Sequence, residues 1–333
     1  MNTNRRTWLG ALLAVTLWGG LGTADNAMNE ARITMGLHFG GNARANDYAL
    51  VPQQIAPDTW VLIGRREDFS RSNGGNIVNT AFITTGDGVL VIDSGPTRRY
   101  GEALRAAITK VTPQPIREVW NTHHHPDHVL GNQAFTDRPI KALDATRQAL
   151  AAEGDSFLAN VFRLTGDWAK GTELKLPDIP LHAGEQTIGQ HRFQLLSLQG
   201  HTAGDLAIFD RTTGVLFAGD LVFNQRAPTT PHARLVDWLH SLDMLAALPF
   251  KVLVPGHGQP TSGDALRQPI AETRQWLRWL DQLLRDAALQ GLDAAEVTAR
   301  PLPPEFAAMP LARQELERSL AHIFRQVEAD ALR

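Results

Sequence analysis

The 333-residue chain contains no cysteine. A thiolate metal ligand is therefore excluded, and an oxidising compartment would make no difference to this fold. Basic residues are not in excess: 32 Lys and Arg stand against 35 Asp and Glu, a formal net charge of −3. That leaves no electrostatic case for binding nucleic acid. Long apolar runs are also missing. The run from Gly10 to Leu21 is glycine-interrupted and shorter than the roughly 20 residues a membrane span needs. No internal repeat or low-complexity tract is present. What the chain does have is 43% apolar residues, enough for the core of one large two-layer domain.

The amino end differs from the rest. Asn4-Arg5-Arg6-Thr7-Trp8-Leu9 precedes the apolar run, and the small residues Gly22-Thr23-Ala24 follow it. This is the charged, apolar and cleavage pattern of a secretory signal over residues 1–24. The paired arginines resemble a twin-arginine signal, with an imperfect match. The expectation is an exported, periplasmic protein starting near Asp25, with no stable membrane span after signal removal. Loss of Arg5 and Arg6, with no acid before Asp25, takes the formal charge from −3 to −5. Residues 25–54 are rich in Asn, Ala and Gly and read as an N-terminal extension.

The densest chemistry lies in Thr122-His123-His124-His125-Pro126-Asp127-His128. Three imidazoles in a His-x-His-x-Asp-His spacing suit zinc, and the carboxylate suits a second divalent ion or its water. Ile116–Trp120 reads as a short strand leading into this loop, and loops at the carboxyl ends of strands are where α/β proteins place their chemistry. Further candidates follow strand-like runs: Gly200-His201-Thr202, Ala218-Gly219-Asp220 and Pro255-Gly256-His257-Gly258.

In this order the motifs resemble those of the metallo-β-lactamase superfamily, over about residues 55 to 285. The resemblance implies an α/β fold, an αββα sandwich of mixed sheets with outer helices and two metal ions in a cleft at one edge. It implies that His123, His125 and His201 hold the first zinc. Asp127, His128 and His257 would hold the second, with Asp220 bridging. Asp127 is then the candidate catalytic carboxylate, as ligand and water-orienting group. Three neutral imidazoles leave one zinc position open, so a bound water can ionise near neutral pH and attack a carbonyl. Asp93-Ser94-Gly95 resembles the superfamily's aspartate–glycine turn, which would make Asp93 a support for the ligand loop. An ordinary strand-end aspartate is the other reading.

Elsewhere the patterns predict strands at Asp58–Ile63, Ile77–Thr84 and Val89–Ile92, the last two joined through Gly86-Asp87-Gly88. Helices are expected at Tyr100–Lys110, Ala145–Ala152, Asp237–Leu248, Ile270–Leu289 and Arg313–Leu332. Thr165–Pro180 reads as loop. Gly184–Ser197 and Ala207–Phe217 read as hairpins. Arg226–Arg234 should edge the cleft, where His232 fits either a substrate contact or a surface histidine. The helices after residue 270 read as packing, with a dimer contact open. The resulting division is 1–24 signal, 25–54 extension, 55–290 main domain and 291–333 C-terminal helical extension.

Metal-assisted hydrolysis of an ester, thioester, amide or lactam follows from such a site; the substrate, a small molecule, does not. The lactamase subclass with cysteine at the position of Asp220 is excluded, and other lactamase types stay open. Diiron flavoproteins of this fold carry glutamate at the position of His125, so the histidine favours zinc over iron. Glyoxalase-II-like thioesterases and iron persulfide dioxygenases share the motif set but are typically intracellular. The run His123–Asn132 and the Asn-rich entry at Asn73–Thr80 resemble the exported SoxH-like group, also called quinoprotein relay system zinc metallohydrolases. That likeness implies a functional link to quinoprotein dehydrogenases. An iron-dependent oxidoreductase on the same ligands and a non-catalytic maturation factor are the alternatives.

Overall fold

The computed structural model describes residues 47–331. The expected signal and most of the 25–54 segment lie outside the described residues. Seven strands lie side by side in chain order: β1 (Gln53–Ala56), β2 (Thr59–Leu62), β3 (Thr80–Thr84), β4 (Val89–Ile92), β5 (Ile116–Trp120), β6 (Ile140–Leu143) and β7 (Ile179–Leu181). The first four pair antiparallel, and β4 to β7 run parallel. The crossovers carry helices, as parallel pairing demands: α1 (Arg98–Val111), α2 (Pro126–Val129) and α3 (Asp144–Thr165). Thr97 caps α1, accepting from the Tyr100 backbone N–H at 3.1 Å.

The second sheet holds β8 (Gly184–Ile188), β9 (His191–Leu198), β10 (Asp205–Asp210), β11 (Val215–Phe223), β12 (Val252–His257) and β13 (Thr261–Ser262). Between β11 and β12 runs α4 (Leu235–Ala246), and after β13 come α5 (Gln268–Gln290), α6 (Ala294–Thr298), α7 (Pro304–Ala307), α8 (Ala312–His322) and α9 (Phe324–Ala331).

The two sheets face each other. Ile83, Ile92 and Trp120 from the first pack with Phe193, Ile208 and Phe217 from the second. Trp120 meets Phe193 edge-on at 5.4 Å. α1 covers the outer face of the first sheet through Leu104 and Ile108, and α4, α5, α8 and α9 cover the second through Trp238, Trp276, Leu316 and Phe324. This is the αββα sandwich expected. Each of these large side chains contributes about 1.5–3 kcal/mol by leaving water.

Several expectations change. β1 falls within and beyond the expected N-terminal extension and pairs with β2, while Tyr48 packs edge-on to Tyr100 at 5.1 Å. The folded unit therefore begins before residue 55. α3 runs thirteen residues past Ala152, and the region expected as loop holds β7. The last helix breaks at Ile323 into α8 and α9, and residues on both sides of the break bury apolar side chains in the same core. That core is continuous from β11 to α9, so residues 291–331 are not an appendage.

Candidate metal centre

The strands aim their carboxyl ends at one edge of the sandwich. After β5 the chain turns through Asn121–His125 into α2, with Pro126 in the first helical turn where its missing N–H costs nothing. Asp93, just past β4, holds this loop. Its Oδ1 accepts from the Thr122 backbone N–H at 2.8 Å, and its Oδ2 accepts from the Thr122 hydroxyl at 2.8 Å and from His128 Nδ1 at 2.7 Å. Three such bonds keep Asp93 at φ +58°, a left-handed conformation that few residues other than glycine tolerate well. The pattern also sets tautomers. Thr122 donates to Asp93, so it accepts from His123 Nδ1 at 3.0 Å, which leaves His123 Nε2 bare. His128, donating through Nδ1, likewise presents Nε2.

These nitrogens, with those of His201 and His257, converge on Asp220. Its Oδ1 lies 3.1 Å from His128 Nε2, and its Oδ2 lies 3.3 Å from His257 Nε2, 3.4 Å from His201 Nε2 and 3.8 Å from His123 Nε2. His201 Nε2 is 2.8 Å from His125 Nδ1, and Asp127 Oδ2 is 3.2 Å from His257 Nε2. All seven expected ligand residues come together, with Asp220 and His257 inside β11 and β12 rather than beyond their ends. The seven form two sets, His123, His125, His201 and Asp220, and Asp127, His128 and His257, each with donor atoms within 4.8 Å of one another; a third set beside them, His124, His125 and His232, shares His125. His257 gives its Nδ1 hydrogen to the Ile77 carbonyl at 2.7 Å. The Arg226 guanidinium 3.3 Å from that nitrogen thus meets another donor and makes no hydrogen bond there. Asn79 staples the strand end, donating to the carbonyls of Pro255 at 2.8 Å and Gly258 at 2.7 Å.

Gly256 shows how tightly Asp220 is seated. A Cβ there would fall 1.9 Å from Asp220 Oδ1 and 2.8 Å from the Gly219 carbonyl carbon. Gly256→Ala is expected to push the carboxylate off centre, destabilising the fold by about 1–3 kcal/mol and weakening uptake of both ions. A zinc titration of this variant matching the wild type would refute that seating.

Burial sets the charges. It holds His123 and His125 well below the usual imidazole range and His201 down to about 4, so this trio is neutral, as metal ligands must be. Burial also opposes charge on His128 and His257. The surrounding carboxylates, Asp220 foremost, overcome it and raise both. Asp220 is held well below the carboxylate range against its own burial by His257 and His128. His123 Nε2, His128 Nε2 and Asp220 Oδ1 are buried without an aligned hydrogen-bond partner. Buried polar atoms are rarely left so. Donor atoms of imidazole and carboxylate type, orphaned and facing one space, fit divalent cations, and zinc suits the mixture.

A family model described as the metallo-β-lactamase superfamily matches residues 73–257. The chain belongs to this superfamily. Among curated proteins it is 24% identical over 285 residues to a linear primary-alkylsulfatase of a Pseudomonas species, a match covering 72% of this chain and 53% of that protein. The chain thus spans about half the alkylsulfatase's length. It is 28% identical to a hydroxyacylglutathione hydrolase of Rhodospirillum rubrum, covering 57% of this chain and 64% of the relative. Among solved structures, a metallo-β-lactamase from Pontibacter korlensis superposes with a TM-score of 0.55 at 22% identity, over 69% of this chain and 99% of that one. A variant of the sec-alkyl sulfatase PisA1 reaches 0.63 at 17% identity, over 81% and 49%. Those two structures speak for the fold.

Around the superfamily's ligand set lies a cleft of about 470 Å³. His232 lines it, with Nδ1 2.8 Å from His125 Nε2. Sequence reasoning missed three of its walls. Glu153 and Phe157 come from the part of α3 beyond the expected Ala145–Ala152 helix, whereas Arg226 lies in the segment expected to edge the cleft. Arg318 comes from α8, outside the matched residues, so that helix is cleft wall as well as packing. No signal near Arg318 pointed there; its partners Asp68 and Glu315 are set by the fold.

Proposed function

We propose that this protein is an exported dinuclear zinc hydrolase cleaving an ester-type bond (carboxylic ester, thioester or amide) in a small molecule. The observation that carries the reading is the convergence of four imidazole nitrogens on Asp220, with His125 and Asp127 completing two donor sets. The first set would hold one ion and Asp127, His128 and His257 the other, with Asp220 between. Ions held there lower the pKa of a water and polarise the scissile bond. The chain's own part is positional. Asp127, which lines the cleft, is placed to orient that water by accepting its hydrogen. Ile77, Phe69 and Phe157 narrow the cleft against bulk solvent. Export is supported by the signal pattern of residues 1–24. The link to quinoprotein dehydrogenases is supported by the SoxH-like motif run, and it makes products of periplasmic oxidation the first substrates to try.

A second reading, sulfate-ester hydrolysis, is favoured by the alkylsulfatase relative and by Arg226 and Arg318 in the cleft wall.

The test takes the zinc-loaded protein through a chromogenic cephalosporin, acyl thioesters, aryl esters and alkyl sulfates, each with and without chelator. Chelator-sensitive turnover on the order of ten per second on one class assigns the substrate. Absence of turnover on all four, with zinc bound, would overturn the hydrolase reading. His201→Ala is expected to lose the first ion and all hydrolysis while keeping the fold; full activity in that variant would remove the ligand assignment.

A further inference from the structure

We infer that Glu153, His232 and His125 form a positioning relay that locks His125 with Nδ1 bare toward the first ion's donor set. The inference rests on the metal reading above. His125 spans two surroundings: its Nδ1 is 2.8 Å from His201 Nε2, and its Nε2 is 2.8 Å from His232 Nδ1. His232 Nε2 in turn lies 2.9 Å from Glu153 Oε2. A neutral imidazole carries one N–H. If His125 Nδ1 offers its lone pair to a cation, the hydrogen is on Nε2 and goes to His232 Nδ1. The His232 hydrogen must then sit on Nε2, facing the Glu153 carboxylate. Every lone pair along the chain meets a donor. The opposite assignment would set a bare nitrogen against a carboxylate oxygen at 2.9 Å.

A rival exists. His124 Nε2 is buried without a partner, 3.8 Å from Glu153 Oε1, and His124, His125 and His232 bring donor nitrogens within 4.8 Å of one another, so they resemble a third cation site. The hydrogen count opposes it. Were His125 Nε2 or His232 Nε2 a ligand there, His125 Nε2 would need its lone pair, and His125 Nδ1 would carry a hydrogen toward His201. The central set would lose a ligand. The His124 ring instead backs His232, 5.0 Å between centroids, and Phe157 at 5.7 Å.

The relay is held from both ends. Glu153 is on α3, and the His232 loop is tied to α8 by Thr230 and Ser319, whose hydroxyls are 2.6 Å apart, and to Gly200 through the Arg234 N–H at 2.8 Å. Outer partners of this kind orient a ligand imidazole and raise its basicity, and cutting them typically costs about 10–100-fold in metal affinity.

The experiment measures zinc affinity of the full chain by chelator competition, with cobalt absorption separating the two sites. His232→Ala should weaken the ion at His123, His125 and His201 by about 10–100-fold and leave the other unchanged. Glu153→Ala should lose part of this. The double variant should be no weaker than His232→Ala alone, because the chain is already cut. Wild-type affinity in both single variants, additive losses in the double, or a third zinc equivalent that both variants lose would each overturn the relay. A wild-type protein that takes up no divalent ion, indistinguishable from His201→Ala, would instead overturn the metal reading and the relay with it.

Discussion

Asp220→Asn is expected to fold like the wild type and to hydrolyse at about a thousandth of its rate or less. The substitution keeps the shape of a side chain buried inside β11, so packing is unchanged. It removes the charge that four imidazoles share, and it turns an amide NH2, which has no lone pair to give a cation, toward one or other donor set. A bridging carboxylate that fixes two ions and their water supplies several kcal/mol of transition-state stabilisation. At about 1.4 kcal/mol per tenfold, a loss of about 4 kcal/mol is a thousandfold. On the proposed dinuclear zinc reading, metal content should drop from two equivalents, and the near-ultraviolet dichroism that reports the buried tryptophans should be retained. A variant holding both ions and hydrolysing within tenfold of the wild type would show that Asp220 is not the pivot of the site. It would reopen the non-catalytic reading.

The centre was legible because its residues are sequentially clustered or sit at the ends of apolar runs. β4 and β5 are continuous apolar or alternating runs bounded by turn residues, and their observed bounds are those the pattern predicts. The ligand loop follows from them. Glu153 was illegible for a local reason. Glu153-Gly154-Asp155-Ser156 is poor helix-forming sequence, so α3 is expected to stop before it. Packing overrides that preference: a Cβ at Gly154 would fall 2.6 Å from the Leu174 side chain, so this turn of α3 suits glycine for closeness. β1 was hidden in the same way, at the end of the stretch expected as an extension, where its pairing with β2 makes it a strand. The arginine wall was illegible for a global reason. Arg318 meets Asp68 across 250 residues and Arg226 meets Glu315 across 89, and no periodicity within one segment encodes such pairs.

That wall gives a large stability effect outside the ligands. Glu315→Ala is expected to destabilise the fold by about 3–5 kcal/mol, a substantial part of the roughly 5–15 kcal/mol that a domain has. Glu315 is fully buried, 3.2 Å from the buried Arg226 guanidinium and 2.7 Å from Arg318. Thr229 donates to the same carboxylate oxygen at 3.0 Å. Truncation leaves Arg226 as an uncompensated buried charge with only the Glu67 carbonyl and Thr229 for partners. That charge then stands beside His257, 3.3 Å from its Nδ1, and repels a cation in the second set. Stability and metal uptake should therefore fall together, the second ion before the first. Glu315→Gln separates the two causes, since it keeps the volume and an acceptor while removing the charge. It should unfold at a temperature between the wild type and the alanine variant and show the same weakened second ion. If the alanine variant melts with the wild type and binds both ions normally, α8 is only a cover on the core and the arginine wall has no hold on the site.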